Sequence, residues 1–167
     1  EINLLYSITD KMTVEARPHR FAAQACQELL QTLPYRWVAA YIDRDGTGEG
    51  RLIVSGDAPR DRAGLRSVLT SIVRREGVSG PIMGGTLVGD DPEVDALGTA
   101  GIAHPIGRDG KVVGLLVAGD KEGPDGSPSS VDIKLLAAAS AHIAIHLDNA
   151  GLFEDMNSMF LGMLEAI

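Results

Sequence analysis

Two histidines have the spacing of a metal site. His142 and His146 are four residues apart in a segment with helical periodicity, so both imidazoles would lie on one helix face. Ile143 occupies the position where the helical zinc peptidase motif has its glutamate, and no third ligand is identifiable. We interpret both histidines as polar helix positions. We expect neither a metal site nor a catalytic residue in this chain.

Oxygen-bearing residues alternate before a glycine between positions 43 and 48, as in the first half of a calcium-binding loop. The twelfth position of such a loop would be Val54, which cannot replace the usual glutamate. The flanking segments, 36–42 and 51–55, have strand-like rather than helical patterns. The run therefore favours a hairpin turn.

The chain has a single cysteine, Cys26, which excludes an internal disulfide and any site that needs two cysteines from one chain. Cys26 lies in a helical pattern with Phe21, Ala25 and Leu29. This environment favours a buried structural thiol over a nucleophile.

The densest positive charge lies on a predicted helix over residues 60–75. It is formed by Arg60, Arg62, Arg66, Arg74 and Arg75. Such charge usually forms a solvated helix face. Because the glycine-rich segment 76–95 follows, the arginines could instead draw an anionic ligand toward a lid.

Composition indicates one soluble domain. The chain has 167 residues, 44% of them hydrophobic, and a net charge of −8 with the acid concentrated in its second half. This charge argues against nucleic acid and anionic lipid as general partners, and the apolar runs are shorter than a membrane span. With a lone cysteine, these features favour a cytoplasmic protein.

Hydrophobic periodicity predicts helices, two hairpins and a long C-terminal helix. In chain order we expect helices at 2–12 and 18–33, a hairpin of 36–42 with 51–55, a helix at 60–75, an irregular loop at 76–95 with a short strand at 86–88, a hairpin of 101–106 with 111–119, and a helix at 131–167. The abrupt ends suggest a fragment of a longer protein.

The last predicted helix is too long for its own domain, and its second half has a heptad pattern. The repeat comprises Ile143, His146, Ala150, Phe153, Asn157, Phe160, Leu164 and Ile167, and a second apolar row comprises Leu152, Met156, Met159 and Met163. The repeat could pack on the chain's own sheet. The length of the seam favours a parallel homodimer instead.

Two stretches resemble GAF domains. The stretch GIAHPIGRDGKVVGLLVAGDK (101–121) is similar to the central GAF hairpin, and SSVDIKLL (129–136) with DNAGLF (148–153) is similar to the last GAF helix. The resemblance implies an α+β, profilin-like fold. A central antiparallel sheet of five or six strands would carry the terminal helices on one face and a ligand pocket on the other. The GAF domain would span 1–155, with 156–167 beginning a linker helix continuous with 131–155.

The GAF resemblance implies a small-molecule sensor. Candidate ligand-binding residues are Arg66, Ser79, His104, Asp120, Lys121 and Asp132. Lys121 and Asp132 match a pair found in cyclic-nucleotide-binding members, but Asp120, Pro128 and Ile133 depart from that motif. These departures argue against a cyclic nucleotide, while the Lys121–Asp132 pair could persist as a structural clip. No cofactor is assigned.

The stretch MFLGMLEAI (159–167) is similar to linkers that precede HD or HD-GYP phosphohydrolase domains. We therefore expect a regulatory domain whose catalytic partner lies elsewhere, with a histidine kinase or a diguanylate cyclase as other outputs. A ligand-free dimerisation module is the main alternative. Methionine sulfoxide reductases also use this fold, but they need reactive cysteines.

Overall fold

The computed structural model describes residues 18–74, 80–83, 101–108, 110–124 and 128–165. The predicted helix at 2–12, Ser79 and the predicted strand at 86–88 lie outside these residues. The elements are α1 (18–32), β1 (Tyr35–Ile42), β2 (Arg51–Gly56), α2 (Arg62–Arg74), β3 (Ile82–Met83), β4 (Ile102–Arg108), β5 (Lys111–Lys121) and α3 (Ser130–Glu165).

The five described strands form one antiparallel sheet in the order β2-β1-β5-β4-β3. Both predicted hairpins are present, and each pairs neighbouring strands as a short connection favours. In the second hairpin the strands extend further than predicted, leaving only residues 109–110 between them. A register irregularity at Ile106 and Gly107 accommodates this extension.

The central strands β1 and β5 separate two hydrophobic cores. Val38 and Ala40 of β1 belong to one core, while Trp37, Ala39 and Tyr41 belong to the other, because successive side chains of a strand point to opposite faces. Both strands are buried on both sides, which explains their nearly continuous apolar sequences.

The two faces of the sheet carry different helices. Helices α1 and α3 cover one face, which we call the terminal-helix face; α1 contributes Ala22 and Cys26 to its core, and α3 contributes Leu136 and Ile143. Helix α2 covers the other face, the α2 face, through a core that includes Leu69. The expected placement of both terminal helices on one face is therefore confirmed.

Helix α3 has 36 residues. By length and composition it could cross a membrane, but the core helix of a soluble protein meets the same criteria. Leu136, Ile143 and Leu147 of α3 are fully buried in the terminal-helix core. We therefore treat its apolar character as that of a core helix whose far end continues beyond the sheet.

Candidate functional site

The sequence features that resemble metal sites have structural roles. The buried Asp43 carboxylate accepts hydrogen bonds from the backbone N–H groups of Thr47 (3.2 Å) and Gly48 (2.9 Å), which closes the β1–β2 turn. His146 stacks on Phe21 with ring centroids 3.8 Å apart. Within the ranges that the structure describes, no three His, Cys, Asp or Glu side chains form a group that could hold a metal.

Lys121 and Asp132 form the predicted clip. The Lys121 Nζ lies 3.0 Å from Asp132 Oδ2, and both side chains are buried. The same oxygen accepts hydrogen bonds from the Tyr35 hydroxyl and the Ser129 backbone N–H, each at 3.0 Å. The Ser129 Oγ accepts the Asp132 N–H at 3.2 Å, so this pair also caps α3. The clip joins β1, β5 and the start of α3.

The contacts of the clip stabilise a charged carboxylate. Burial alone raises the pKa of Asp132, but hydrogen bonds from Ser129, Lys121 and Tyr35 outweigh it, so the pKa lies below its ordinary value. Burial, then the hydrogen bond and charge of Asp132, raises the pKa of Tyr35. The contacts of Asp132 with Lys121, Tyr35 and Ser129 therefore give this pair a structural role between β1, β5 and α3.

Asp120 also has a structural partner. Its Oδ2 accepts a hydrogen bond from the Trp37 indole N–H at 3.1 Å, and its backbone has a positive φ of 56°. The Trp37 ring lies over Gly119, where a Cβ would come within 2.1 Å of the ring. The close approach of ring and backbone therefore requires glycine beside Asp120.

His104 lies on the terminal-helix face of the sheet. It shares its face of β4 with Ile102 and Ile106, and it pairs across the ladder with Leu116. All three of these residues belong to the terminal-helix core. Strand alternation therefore places the candidate ligand residues His104 and Arg66 on opposite faces of the sheet, so one pocket cannot include both.

Arg66 lines a groove of about 790 Å³ between α2 and the edge strand β2. We call it the arginine groove. It is lined by Gly48, Leu52, Val54, Arg62, Ala63, Arg66, Ser67, Thr70, Ser71 and Arg74. Of the five arginines that the sequence singles out, three therefore come together here. The hydroxyl side chains of Ser67, Thr70 and Ser71 also line the groove and were not predicted from the sequence, although they lie close to Arg66 on the same helix.

Hydrogen bonds fix the wall of the arginine groove against the sheet. The Thr70 hydroxyl lies 2.9 Å from the Tyr41 hydroxyl, and the Gly50 N–H donates to Tyr41 Oη at 3.2 Å. Gly48 has a φ of +85°, and a Cβ there would lie 2.3 Å from Arg74 Nη2. The turn after β1 thus provides space for a guanidinium group of α2.

The predicted dimer seam is partly occupied within the chain. Ile143 is fully buried and Ala150 is 6% exposed, so both pack on the chain's own sheet. This corrects their assignment to a dimer interface. Phe160 and Leu164, beyond the sheet, are exposed, and the side chain of Phe153 lies outside the described residues.

A second heptad row runs alongside the predicted seam, displaced by one residue and therefore by about 100° around α3. Its members are Val131, Leu135, Ala138, His142, Ile145, Asn149, Leu152, Met156, Met159 and Met163, and we call it the outer row. Their spacing alternates between four and three residues throughout. Nine of the ten are exposed and Leu135 is half-buried. Leu136, Ile143 and Leu147, which lie between them, are buried in the terminal-helix core.

A comparison with known protein families identifies the chain. A family model described as the GAF domain matches residues 17–147, which include all five described strands and the first half of α3. The chain belongs to the GAF family. GAF domains are regulatory, and this agrees with the regulatory role expected from the sequence. Among curated proteins, none matches the chain.

Solved GAF structures share this fold at low sequence identity. A GAF domain from Synechocystis sp. in its photoproduct state is 16% identical, with a TM-score of 0.60, covering 83% of this chain and 98% of that one. The GAF domain/HD domain protein from Geobacter sulfurreducens is 14% identical, with a TM-score of 0.58, covering 81% and 94%. These likenesses confirm the α+β GAF architecture.

A type II free methionine-R-sulfoxide reductase from Thermoplasma acidophilum is also similar, at 16% identity and a TM-score of 0.53 over 79% of this chain and 95% of that one. In this GAF domain Cys26 is fully buried in the terminal-helix core. Burial raises the pKa of the Cys26 thiol to about 12. Cys26 is therefore a poor source of a reactive thiolate.

Proposed function

We propose that this GAF domain is a sensor that forms a parallel homodimer through its terminal helices and relays ligand state along α3 to an effector domain. The observation that carries the proposal is the outer row. It places a continuous heptad repeat on the side of α3 that its own sheet leaves uncovered.

The outer row has the composition of a parallel helical pair. Counting Leu135 as an a position puts His142, Asn149 and Met156 at later a positions, and Ile145 and Leu152 at d positions. An asparagine at an a position pairs with its copy across a parallel dimer and fixes the register. Asn149 would have this role near the middle of α3.

Burial energetics are of the right size for association. Six large apolar side chains of the outer row, Val131, Ile145, Leu152, Met156, Met159 and Met163, are 54–69% exposed. Covering them contributes about 1 kcal/mol each, or about 12 kcal/mol for two helices, by transfer energies for apolar side chains. Association costs about 4–15 kcal/mol, so a stable dimer needs most of the row to be buried.

The relay follows from how α3 is attached. The clip ties its first turn to β1 and β5, and Arg108 at the end of β4 pairs with Asp148 of α3 at 2.7 Å. A shift of the sheet is therefore transmitted to α3 at two points. A ligand that prefers one sheet arrangement would bias the tilt or register of the paired helices.

We further propose that the effector is an HD or HD-GYP phosphohydrolase domain, with a histidine kinase or a diguanylate cyclase as alternatives. The similarity of residues 159–167 to linkers of the first class supports this, as does the GAF domain/HD domain protein among the similar structures.

A ligand-free dimerisation module is the second candidate. One observation favours it: the large side chains of Trp37, Tyr41, Leu69 and Leu115 fill the core between α2 and the middle of the sheet. In that case the outer row would still form the dimer, but no small molecule would change it.

Sedimentation equilibrium tests the proposed dimer. We expect a dimer at tens of micromolar for the wild-type chain, and a monomer for the double variant Leu152→Glu, Met159→Glu, because burying four unpaired carboxylates in one seam is strongly unfavourable. Leu161→Glu is the matched control, since Leu161 is 48% exposed but lies outside the outer row. A wild-type monomer, or equal effects of both changes, would show that the outer row is not the interface.

A further inference from the structure

We propose that the arginine groove binds a small organic anion that carries phosphate groups. Arg62, Arg66 and Arg74 would hold the phosphates, and the apolar floor of the groove would hold the organic part. This proposal names the class of ligand that the proposed sensor would bind. A regulatory role for that ligand rests on the proposed sensor function. Binding itself can be measured independently of it.

The arginines of α2 have no ion-pair partner among the residues that the structure describes. The helix contains three arginines and no acidic residue, and no carboxylate is among the described residues that line the groove. Asp61, just before the helix, accepts the Gly64 N–H at 2.9 Å. The arginines of α2 thus contrast with Lys121 and Arg108, which both have carboxylate partners. The groove is thus a local positive site in a chain with a net charge of −8.

The positions of Arg62 and Arg66 are unfavourable for the isolated helix, whereas Arg74 lies in the last turn, where a cation is favourable. Arg62 and Arg66 are one turn apart, where like charges repel. Arg62 also lies in the first turn, at the positive end of the helix dipole. Both costs fall when an anion binds between the two guanidinium groups. The arrangement is therefore one that a bound anion stabilises more than solvent does.

The shape of the groove selects the class of anion. Its volume of about 790 Å³ is within the range of small-molecule sites. Leu52, Val54 and Ala63 offer apolar surface, while Ser67 and Ser71 add hydroxyl donors. Guanidinium groups bind phosphate through two parallel hydrogen bonds. A phosphorylated molecule with an apolar or planar body uses both kinds of surface, whereas an inorganic ion uses only one.

The spacing along α2 favours an elongated ligand. Arg66 and Arg74 are eight residues apart, which is about 12 Å along a helix axis. Arg74 lies at the far end against the Gly48 turn. Two separated points of positive charge therefore match negative groups at both ends of a ligand, or a chain of several phosphates.

Isothermal titration with ATP, pyrophosphate and inorganic phosphate at low salt tests the proposal. We expect saturable one-to-one binding of ATP, tighter than that of inorganic phosphate. Arg66→Gln should weaken ATP binding about tenfold, the loss of one charged hydrogen-bonding group. Arg51→Gln is the control. Arg51 lies on β2, the strand that lines the groove, but it pairs with Ile42 of the terminal-helix core and therefore lies on the other face of the sheet. We expect this variant to leave the affinity unchanged.

Two results would overturn the groove proposal. The first is no saturable binding of ATP up to about 5 mM, which means a binding free energy weaker than about −3 kcal/mol. The second is equal weakening of ATP binding by Arg66→Gln and Arg51→Gln. Sedimentation of the same samples separates this failure from failure of the proposed dimer. A dimer that binds no ATP would refute the groove alone, and a monomer that binds ATP would refute the dimer alone.

Discussion

Replacing Asp132 by asparagine is expected to lower the free energy of unfolding by about 3–5 kcal/mol at neutral pH. The substitution leaves the Lys121 ammonium buried without its counter-charge and weakens the hydrogen bonds from Tyr35 and Ser129. Urea unfolding at pH 7 measures the change. Asp148→Asn is the matched control. Asp148 lies on the same helix as Asp132 and also pairs with a cation, Arg108 of β4, but its side chain is 43% exposed. We expect its cost to stay below about 1 kcal/mol.

The cost of Asp132→Asn should depend on pH. The folded-state pKa of Asp132 lies below that of the unfolded chain, so the stabilisation is fully present above the ordinary carboxyl pKa, about 3.9. It is lost as the pH falls through the lower folded-state value. The wild-type and variant curves should therefore converge below about pH 4. Equal costs at Asp132 and Asp148, or a gap that persists in acid, would contradict the clip.

Gly114→Ala is expected to destabilise the fold by about 3 kcal/mol, near the upper end of typical overpacking costs. Gly114 is buried in β5 between β1 and β4, and a Cβ there would lie 2.2 Å from the Tyr41 carbonyl oxygen. This contact involves backbone in the centre of a sheet, so neither partner can move without breaking the ladder. Thermal and urea unfolding both measure the effect.

Gly107→Ala provides the comparison for Gly114. Gly107 is exposed in β4, and the nearest atom to an added Cβ there is 3.9 Å away. Its cost should be below about 1 kcal/mol, as for other surface changes. If both glycine variants were equally stable, the close approach of β1 and β5 at Gly114 would be wrong. The comparison also gives a physical reason for the glycine in the Val-Gly-Leu-Leu run of this hairpin.

Local patterns were sufficient to predict most of the elements. The Asp-Gly turn and the apolar strands beside it predicted the second hairpin, and Leu65, Leu69 and Ile72 predicted the buried side of α2. These features depend on neighbours in sequence. The family resemblance then supplied the layer order, with α1 and α3 on one face of the sheet.

Two features depend on tertiary packing, which sequence patterns alone do not show. Both rows of α3 fit a heptad, and only the sheet decides that Ile143 and Ala150 are covered while Ile145 and Leu152 are exposed. His104 has the same problem in a strand. The face of the sheet on which His104 lies depends on the pairing register of β4 with β5, and the sequence alone does not determine that register.

The residues that line the arginine groove were predicted in part. The charge of α2 was visible from the sequence, and Arg66 was correctly grouped with Arg62 and Arg74. The opposite wall, formed by Leu52 and Val54, depends on β2 being an edge strand. Lys121 and Asp132 were predicted as a pair, but their burial beside Tyr35 shows a structural contact that sequence spacing alone does not distinguish from a ligand contact.

The central claim is that two α3 helices pair in parallel through the outer row, and disulfide cross-linking tests it most directly. Leu152→Cys and Ile145→Cys should each give a cross-linked dimer on mild oxidation, since equivalent d positions face each other in a parallel pair. Cys26 should not compete, because burial raises its pKa to about 12. Leu161→Cys, exposed but outside the row, should give no cross-linked dimer. Cross-linking through Leu161→Cys, with none through Leu152→Cys or Ile145→Cys, would contradict the account.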